Sequence, residues 1–113
     1  MRYMLIMTDD GATEPGPARI AATPEFAAWE TQVARLGVPH AGVRLRPSAE
    51  AVTVRVRGGE VLLSDGPFAD TKEQVGGFEL VECTDLDQAI EVASGHPCAQ
   101  WAVEIRPFWV GEG

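Results

Sequence analysis

The sequence has few cysteines, no long apolar segment and no recognisable export signal. Its two cysteines, Cys83 and Cys98, form no Cys-x-x-Cys pair, so a disulfide framework is not predicted. No segment approaches the roughly 18 consecutive apolar residues that a transmembrane helix requires. The apolar run over residues 1–7 is too short for a signal peptide and leads into Thr8 without a small-residue cleavage site. These absences predict a cytoplasmic protein with reduced thiols.

Basic residues are also few. Nine lysines and arginines stand against 17 aspartates and glutamates, which gives a formal net charge of −8 at pH 7. Binding to phosphates needs a clustered excess of Lys and Arg, so neither nucleic acid nor an anionic membrane is predicted as a partner. An apolar fraction of 45% in 113 residues is enough for the core of one domain, which we expect to cover residues 1–113.

Several motifs of catalysis and cofactor binding are missing. No spacing of His, Cys, Asp and Glu fits a zinc or calcium site. The Gly-Gly pairs at 58–59 and 76–77 lack the order of a phosphate-binding loop. No serine lies in a nucleophile elbow, and neither cysteine has an adjacent base. The sequence therefore predicts no metal and no cofactor.

Periodicity and capping residues predict six strands and two helices. The first helix is predicted to begin after Thr23 and end at Gly37, and the second to begin after Thr84, with Asp87 closing a capping box, and end at Gly95. The predicted strands cover residues 2–8, 40–46, 51–57, 60–64, 78–83 and 101–106. The predicted buried stripes are Phe26, Trp29, Val33 and Leu36 on the first helix, and Leu86, Ala89, Ile90 and Ala93 on the second.

The element order is βαβ, then a β-hairpin, then βαβ. Two such units fold into an antiparallel sheet with both helices on one face, the ferredoxin-like α+β arrangement. The strand over residues 2–8 is apolar on both faces, and so is the stretch 78–81. Because two helices cover only one face, we expect the other face to pack against a second copy, giving a homodimer.

The densest motif lies between the hairpin and the fifth strand. It reads SDGPFADTKEQVGGF over residues 64–78, and its Asp-Gly-Pro turn could present a carboxylate and backbone N–H groups to a cleft. The run DGPFADTKEQVGGFELVE resembles the signature of the DGPF branch of the YCII-related proteins, and the segments RYMLIM and GHP…WAVEIRPFW fit the same pattern. The resemblance covers most of the chain outside the 9–22 loop and the extreme C-terminus. It implies a ferredoxin-like domain that pairs into a dimeric α+β barrel.

The resemblance implies less about function. The family is largely uncharacterised, and many bacterial members are encoded beside, or fused to, sigma factors of the extracytoplasmic-function type. YCII relatives are suspected enzymes because a His on the first helix and an Asp at the cleft resemble a catalytic dyad. Here Asp65 matches the Asp, but the first helix contains no histidine.

Asp65 is the candidate catalytic residue, as a general base or as an anchor for a ligand amine or hydroxyl. The alternative is that its carboxylate caps the turn through the Gly66 and Phe68 amides. Thr71 and Lys72 are candidate ligand-binding residues in the same loop. Lys72 is the only cation between residues 60 and 91, and it either holds a substrate carboxylate or forms a surface ion pair.

Both histidines are further candidates for ligand binding. His96 follows the second helix, where an imidazolium would suit the helix dipole, and the alternative is a structural C-cap role. His40 opens the second strand and could replace the imidazole missing from the first helix.

Four arginines follow strand periodicity in the middle of the chain. If the second and third strands pair, these side chains form a cationic patch for an anionic ligand or a partner subunit, and the alternative is a solvated sheet face. They are Arg44, Arg46, Arg55 and Arg57.

Two functional hypotheses follow. The first is an acid/base enzyme of the isomerase, lyase or cofactor-free oxygenase type, with a small-molecule substrate and Asp65 in a dimer cleft. The second is a non-catalytic ligand-binding or interaction module linked to a sigma-factor pathway.

Overall fold

The computed structural model describes residues 1–9, 23–67 and 74–109. The described residues form six strands, two α-helices and two short 3₁₀ turns. The strands are β1 (Arg2–Asp9), β2 (His40–Arg44), β3 (Val52–Arg57), β4 (Glu60–Asp65), β5 (Gln74–Glu82) and β6 (Val103–Pro107). The helices are α1 (Pro24–Arg35) and α2 (Leu86–Ser94), and the 3₁₀ turns cover Ser48–Glu50 and Pro97–Gln100.

Four of the strands form one antiparallel sheet in the order β2-β5-β1-β6. Tyr3, Leu5 and Met7 of β1 are buried in one cluster with Trp29 of α1 and Val92 of α2. Because side chains two residues apart on a strand share a face, both helices cover the same face of the sheet. The predicted ferredoxin-like α+β fold is confirmed.

The opposite face of the sheet carries the alternate side chains of the same strands. Pairing across the sheet puts Val43, Phe78 and Ile6 in one row and Ala41, Leu80 and Met4 in the next. Val43 is 60% exposed and Leu80 is 43% exposed. No described helix covers this apolar surface, and the predicted homodimer remains a prediction.

Helix α1 has the expected ends and the expected buried stripe. The Thr23 hydroxyl accepts a hydrogen bond from the Phe26 N–H at 3.2 Å, and Gly37 follows the helix with φ +67°. Trp29 and Val33 are buried. The Trp29 indole Nε1–H donates to the Val92 carbonyl at 2.8 Å, which fixes α1 against α2.

Helix α2 begins one residue later than predicted and buries only part of the predicted stripe. Asp85, rather than Thr84, is the N-cap and accepts a hydrogen bond from the Gln88 N–H at 2.9 Å. Gln88, rather than Asp87, closes the box by accepting the Thr84 N–H at 2.8 Å. The buried residues are Ala89, Val92 and Ala93, while Leu86 and Ile90 are 50% and 47% exposed. These three side chains belong to the core cluster that includes Tyr3 and Leu5 of β1, whereas Leu86 and Ile90 lie outside it.

Other strand boundaries differ by a few residues. β2 ends at Arg44 rather than at residue 46, β5 begins at Gln74 rather than at residue 78, and β6 covers Val103–Pro107. β5 extends backward through Gly76 and Gly77 because it pairs with strands on both sides, which overrides the low strand propensity of glycine. The β3–β4 hairpin turns at Gly58 and Gly59, both with positive φ, as predicted. The predicted 9–22 loop lies outside the described residues from residue 10 onward.

Candidate functional site

An open cavity of about 570 Å³ lies between α1 and the β2–β5 part of the sheet. This volume is in the usual range for sites that bind small molecules. Both histidines of the chain and one buried acid line it. Its lining includes Met7, Phe26, Glu30, His40, Arg44, Gly77, Glu79 and His96.

Glu79 is a charged residue on the core face of β5. It lies between Gly77 and Val81 in the alternation of that strand and is only 6% exposed. Its neighbour across the sheet is Gly42 of β2. A Cβ atom at Gly42 would overlap the Glu79 carboxylate, so a glycine at this position provides the space that the carboxylate occupies.

His40 is the hydrogen-bond partner of that carboxylate. Its Nδ1 lies 3.3 Å from Glu79 Oε2, and the imidazole packs edge-on against Trp29 with a centroid distance of 5.4 Å. An ionised carboxylate can only accept, so we assign the proton to Nδ1, which leaves Nε2 for a ligand. The side chain of His40 is 25% exposed and that of Glu79 is 8% exposed. A molecule in the cavity therefore meets the imidazole more readily than the carboxylate.

The environment of Glu79 shifts its protonation. Burial raises the pKa of this carboxyl group above its ordinary value, while the hydrogen bond and charge of His40 act in the opposite direction and Glu30 adds a smaller increase. A carboxyl group that holds its proton more strongly than usual, beside an imidazole, is the arrangement of many general acid–base sites.

His96 is buried and neutral. Its Nδ1 accepts the Cys98 N–H at 3.0 Å, so the ring proton is on Nε2. The ring lies 4.8 Å from Trp29 and 5.7 Å from Phe26, centroid to centroid, in edge-on contacts. Burial lowers the pKa of His96 to about 4. The imidazolium expected at the end of the second helix is therefore not formed at neutral pH.

The expected C-cap role of His96 is also wrong. Gly95 is the C-cap of α2, and His96 is instead the N-cap of the 3₁₀ turn Pro97–Gln100. A proline directly after His96 starts a new turn, and the imidazole satisfies the free N–H at its beginning.

Asp65 lies at the end of β4, on the hairpin and away from the cavity lining. It is exposed and pairs with Val52 across the hairpin. The Gly66 amide, which the turn-capping alternative assigned to the Asp65 carboxylate, donates to the Ala51 carbonyl at 2.7 Å instead. Phe68, Thr71 and Lys72 lie outside the described residues. The functional roles of Asp65, Thr71 and Lys72 remain predictions.

The four arginines do not form the predicted patch. That patch required β2 to pair with β3, but β2 pairs with β5 and β3 pairs with β4. Arg46 binds Glu50 at 2.7 Å, Arg55 and Arg57 lie on the hairpin, and Arg44 lines the cavity. The sheet order separates residues that the chain order suggested were neighbours.

Glu79 is the site residue that the sequence analysis missed. Its signal was present, because an acid at position 79 shares a strand face with Gly77 and Val81 and must point toward the helices if that face is buried. Its partnership with His40 could not be read from the chain, since 39 residues separate them.

Within residues 1–9, 23–67 and 74–109, no group of three or more His, Cys, Asp or Glu side chains could hold a metal ion. Over the same ranges, neither helix has the length and apolar character needed to cross a membrane. Both cysteines are buried and neither forms a disulfide.

The sheet order, the two helices on one face and the histidine-lined cavity define a small ferredoxin-like α+β domain. A sequence profile of the YCII-related domain matches residues 1–110, and the chain belongs to that family. A protein of Rhizobium meliloti (strain 1021), described as uncharacterized, is 43% identical over 68 residues. The aligned region covers 58% of this chain and 55% of the relative, so the match spans only about half of that protein's length.

Proposed function

We propose that this protein is an acid–base enzyme that binds a small organic molecule in the cavity and moves a proton on it. His40 accepts and donates the proton. Glu79 orients the imidazole and compensates the positive charge that the ring carries while it holds the proton. The observation that carries this proposal is the imidazole–carboxylate contact of 3.3 Å inside the cavity. It replaces the absent helical histidine with one from β2.

His40 and Glu79 have different roles because their side chains differ in how far they are exposed to a ligand in the cavity. The His40 side chain is three times as exposed as that of Glu79, at 25% against 8%. A hydrogen bond from Nδ1 to the carboxylate fixes the tautomer and the orientation of the ring, so that Nε2 faces the ligand as an acceptor. The carboxylate therefore acts through the imidazole and does not meet the ligand itself.

His96 supplies the third group. It is held neutral and its Nδ1 is already used by the Cys98 amide, so the remaining polar atom is an Nε2–H donor. A neutral donor in a shielded site stabilises negative charge that develops on a substrate oxygen. Abstraction of a proton from carbon next to a carbonyl produces such a charge, and return of the proton to another carbon completes an isomerisation.

The test is solvent exchange at acidic carbon positions. The protein is incubated in D₂O with enolisable ketones, lactones and 2-oxo acids, and deuterium incorporation is followed by NMR for wild type, His40→Gln, Glu79→Gln and Asp65→Asn. We expect His40→Gln to lower the exchange rate by about 10²–10⁴-fold, Glu79→Gln to lower it less, and Asp65→Asn to leave it unchanged.

The Asp65→Asn variant separates the two candidate bases. Exchange that is lost in Asp65→Asn and kept in His40→Gln would identify Asp65, at the Asp-Gly-Pro turn, as the base. Binding of these compounds without exchange in any variant would identify the cavity as a ligand-binding site that performs no proton transfer.

A further inference from the structure

Arg44 shares a strand face with the proton-transfer pair. His40, Gly42 and Arg44 alternate on the helix-facing side of β2, and Arg44 lines the cavity. The Glu79 carboxylate occupies the space above Gly42. Arg44 therefore begins two residues, or about 7 Å, beyond the carboxylate along the strand.

The floor beside Arg44 is apolar. Its neighbour across the sheet is Gly77, and the next residue in the same row is Met7 of β1. Gly77 adds no side chain to the row, the Met7 methyl group lies 3.8 Å from where its Cβ would be, and Phe26 of α1 lines the same cavity. This end of the cavity thus combines the Arg44 cation with apolar walls.

Along the direction of β2, the acidic residues of the cavity lie at one end and Arg44 lies at the other. Glu79 lies at the His40 end, and Glu30 is close enough to raise the pKa of Glu79. Arg44 is the cation at the other end. A ligand anion bound beside Arg44 is attracted there and is kept away from the two carboxylates, so the site favours one orientation of a ligand with one negative end.

We propose that the ligand of this site is a small organic monocarboxylic acid whose carboxylate binds Arg44 and whose apolar body lies over Gly77 between Met7 and Phe26. This inference rests on the proposed function, because it places the carbon that exchanges its proton a few bonds from the carboxylate, next to His40. Guanidinium binds a carboxylate through two parallel N–H···O bonds, which a neutral amide cannot reproduce. Arg44 is thus the residue that sets specificity for the charged acid.

Matched acids and amides test this assignment. Binding of benzoate, phenylacetate and 4-methylpentanoate, each against its carboxamide, is measured by titration calorimetry and ligand-detected NMR. The proteins are wild type, Arg44→Gln, Arg44→Lys and Arg57→Gln, the last removing the same charge from the exposed hairpin. We expect wild type to prefer the acids by about 10-fold or more, Arg44→Gln to lose the preference, and Arg44→Lys to keep part of it. Arg57→Gln keeps the full preference.

An acid preference that survives in Arg44→Gln, equal binding of acids and amides by wild type, or no binding of any acid at millimolar concentration would overturn the assignment. The exchange assay distinguishes this failure from failure of the proposed function. An acid preference that survives in Arg44→Gln, together with lactone exchange that is lost in His40→Gln, would keep the proton-transfer pair and discard the acid. If acids bind through Arg44 but the exchange rate is unaffected by His40→Gln, the acid assignment stands and the proton-transfer pair is discarded.

Discussion

The two buried titratable side chains of the site respond to burial in opposite ways. Burial raises the pKa of Glu79 and lowers the pKa of His96, so each group is pushed toward its neutral form. The Glu79 carboxylate has a side-chain partner, the His40 imidazole, whereas the His96 ring accepts a hydrogen bond from a backbone amide. The sequence analysis named both histidines as candidates from their positions, but their partners come from contacts that only the folded chain makes.

His96 should make the protein sensitive to mild acid. Its pKa falls from 6.5 to about 4 on folding, so the unfolded chain binds the proton more readily between these values. The contribution of His96 to stability is complete above about pH 6.5 and is lost as the pH falls toward 4, on the order of 3 kcal/mol in all. His96→Asn keeps an acceptor for the Cys98 amide and removes the titration.

Urea unfolding of wild type and His96→Asn from pH 7.5 to pH 4 measures this effect. We expect wild type to lose more stability than the variant over this range. Glu79 contributes with the opposite sign, because its raised pKa favours the folded state below its ordinary pKa of 4.5 and this contribution disappears as the pH rises. Since both proteins contain Glu79, its effect cancels in the comparison. Parallel pH profiles would contradict the assignment of His96 as a buried neutral group.

At the scale of elements, signals from residues close together in the chain predicted some helices and turns correctly but did not predict which strands pair. α1 and the β3–β4 hairpin were predicted well, because a Thr-Pro start, a glycine C-cap and a Gly-Gly turn are all set by nearby residues. In α2 the burial of Ala89 and Ala93 was predicted correctly, but Val92 is buried where Leu86 and Ile90 were expected. The pairing of β2 with β5 was not predicted at all, and this pairing brings Gly42 opposite Glu79.

Gly42 should therefore be required for the position of Glu79. Gly42→Ala places a methyl group on the carboxylate, and we expect a loss of about 1–3 kcal/mol in the free energy of unfolding, as for other overpacked sites. The exchange rate should fall toward that of Glu79→Gln. A double-mutant cycle identifies the cause, because the same substitution in a Glu79→Ala background meets no carboxylate.

Equal losses of stability in the two backgrounds would contradict this explanation. The cost of Gly42→Ala would then come from the β2 backbone and not from Glu79. A near-neutral effect in the Glu79→Ala background, measured by urea unfolding, is the expected result.

At the scale of the whole molecule, the feature still to be explained is the apolar face opposite the helices. The rows through Val43 and Leu80 cross three strands and expose large hydrophobic side chains on one surface. Monomeric proteins seldom expose contiguous apolar patches of several hundred Å². We therefore retain the prediction of a homodimer built on this face, related by a two-fold axis.

Leu80→Lys and Ile90→Lys form a matched pair for this prediction. Both side chains are similarly exposed, at 43% and 47%, but Leu80 lies on the open face of the sheet and Ile90 on α2. We expect wild type and Ile90→Lys to have twice the mass of the 12.1 kDa chain in light scattering, and Leu80→Lys to have the mass of one chain. A wild-type mass that stays at one chain at every concentration would rule out the dimer.

The central claim is that the cavity beside His40 and Glu79 is the functional site. Amide chemical-shift mapping tests it most directly, using the tightest binder among the small acids, amides and lactones named above. The account predicts that the largest shifts occur at Gly42, Gly77 and Cys98, which line the cavity. Shifts confined to residues 64–66, at the Asp-Gly-Pro turn, with none around the cavity, would contradict it.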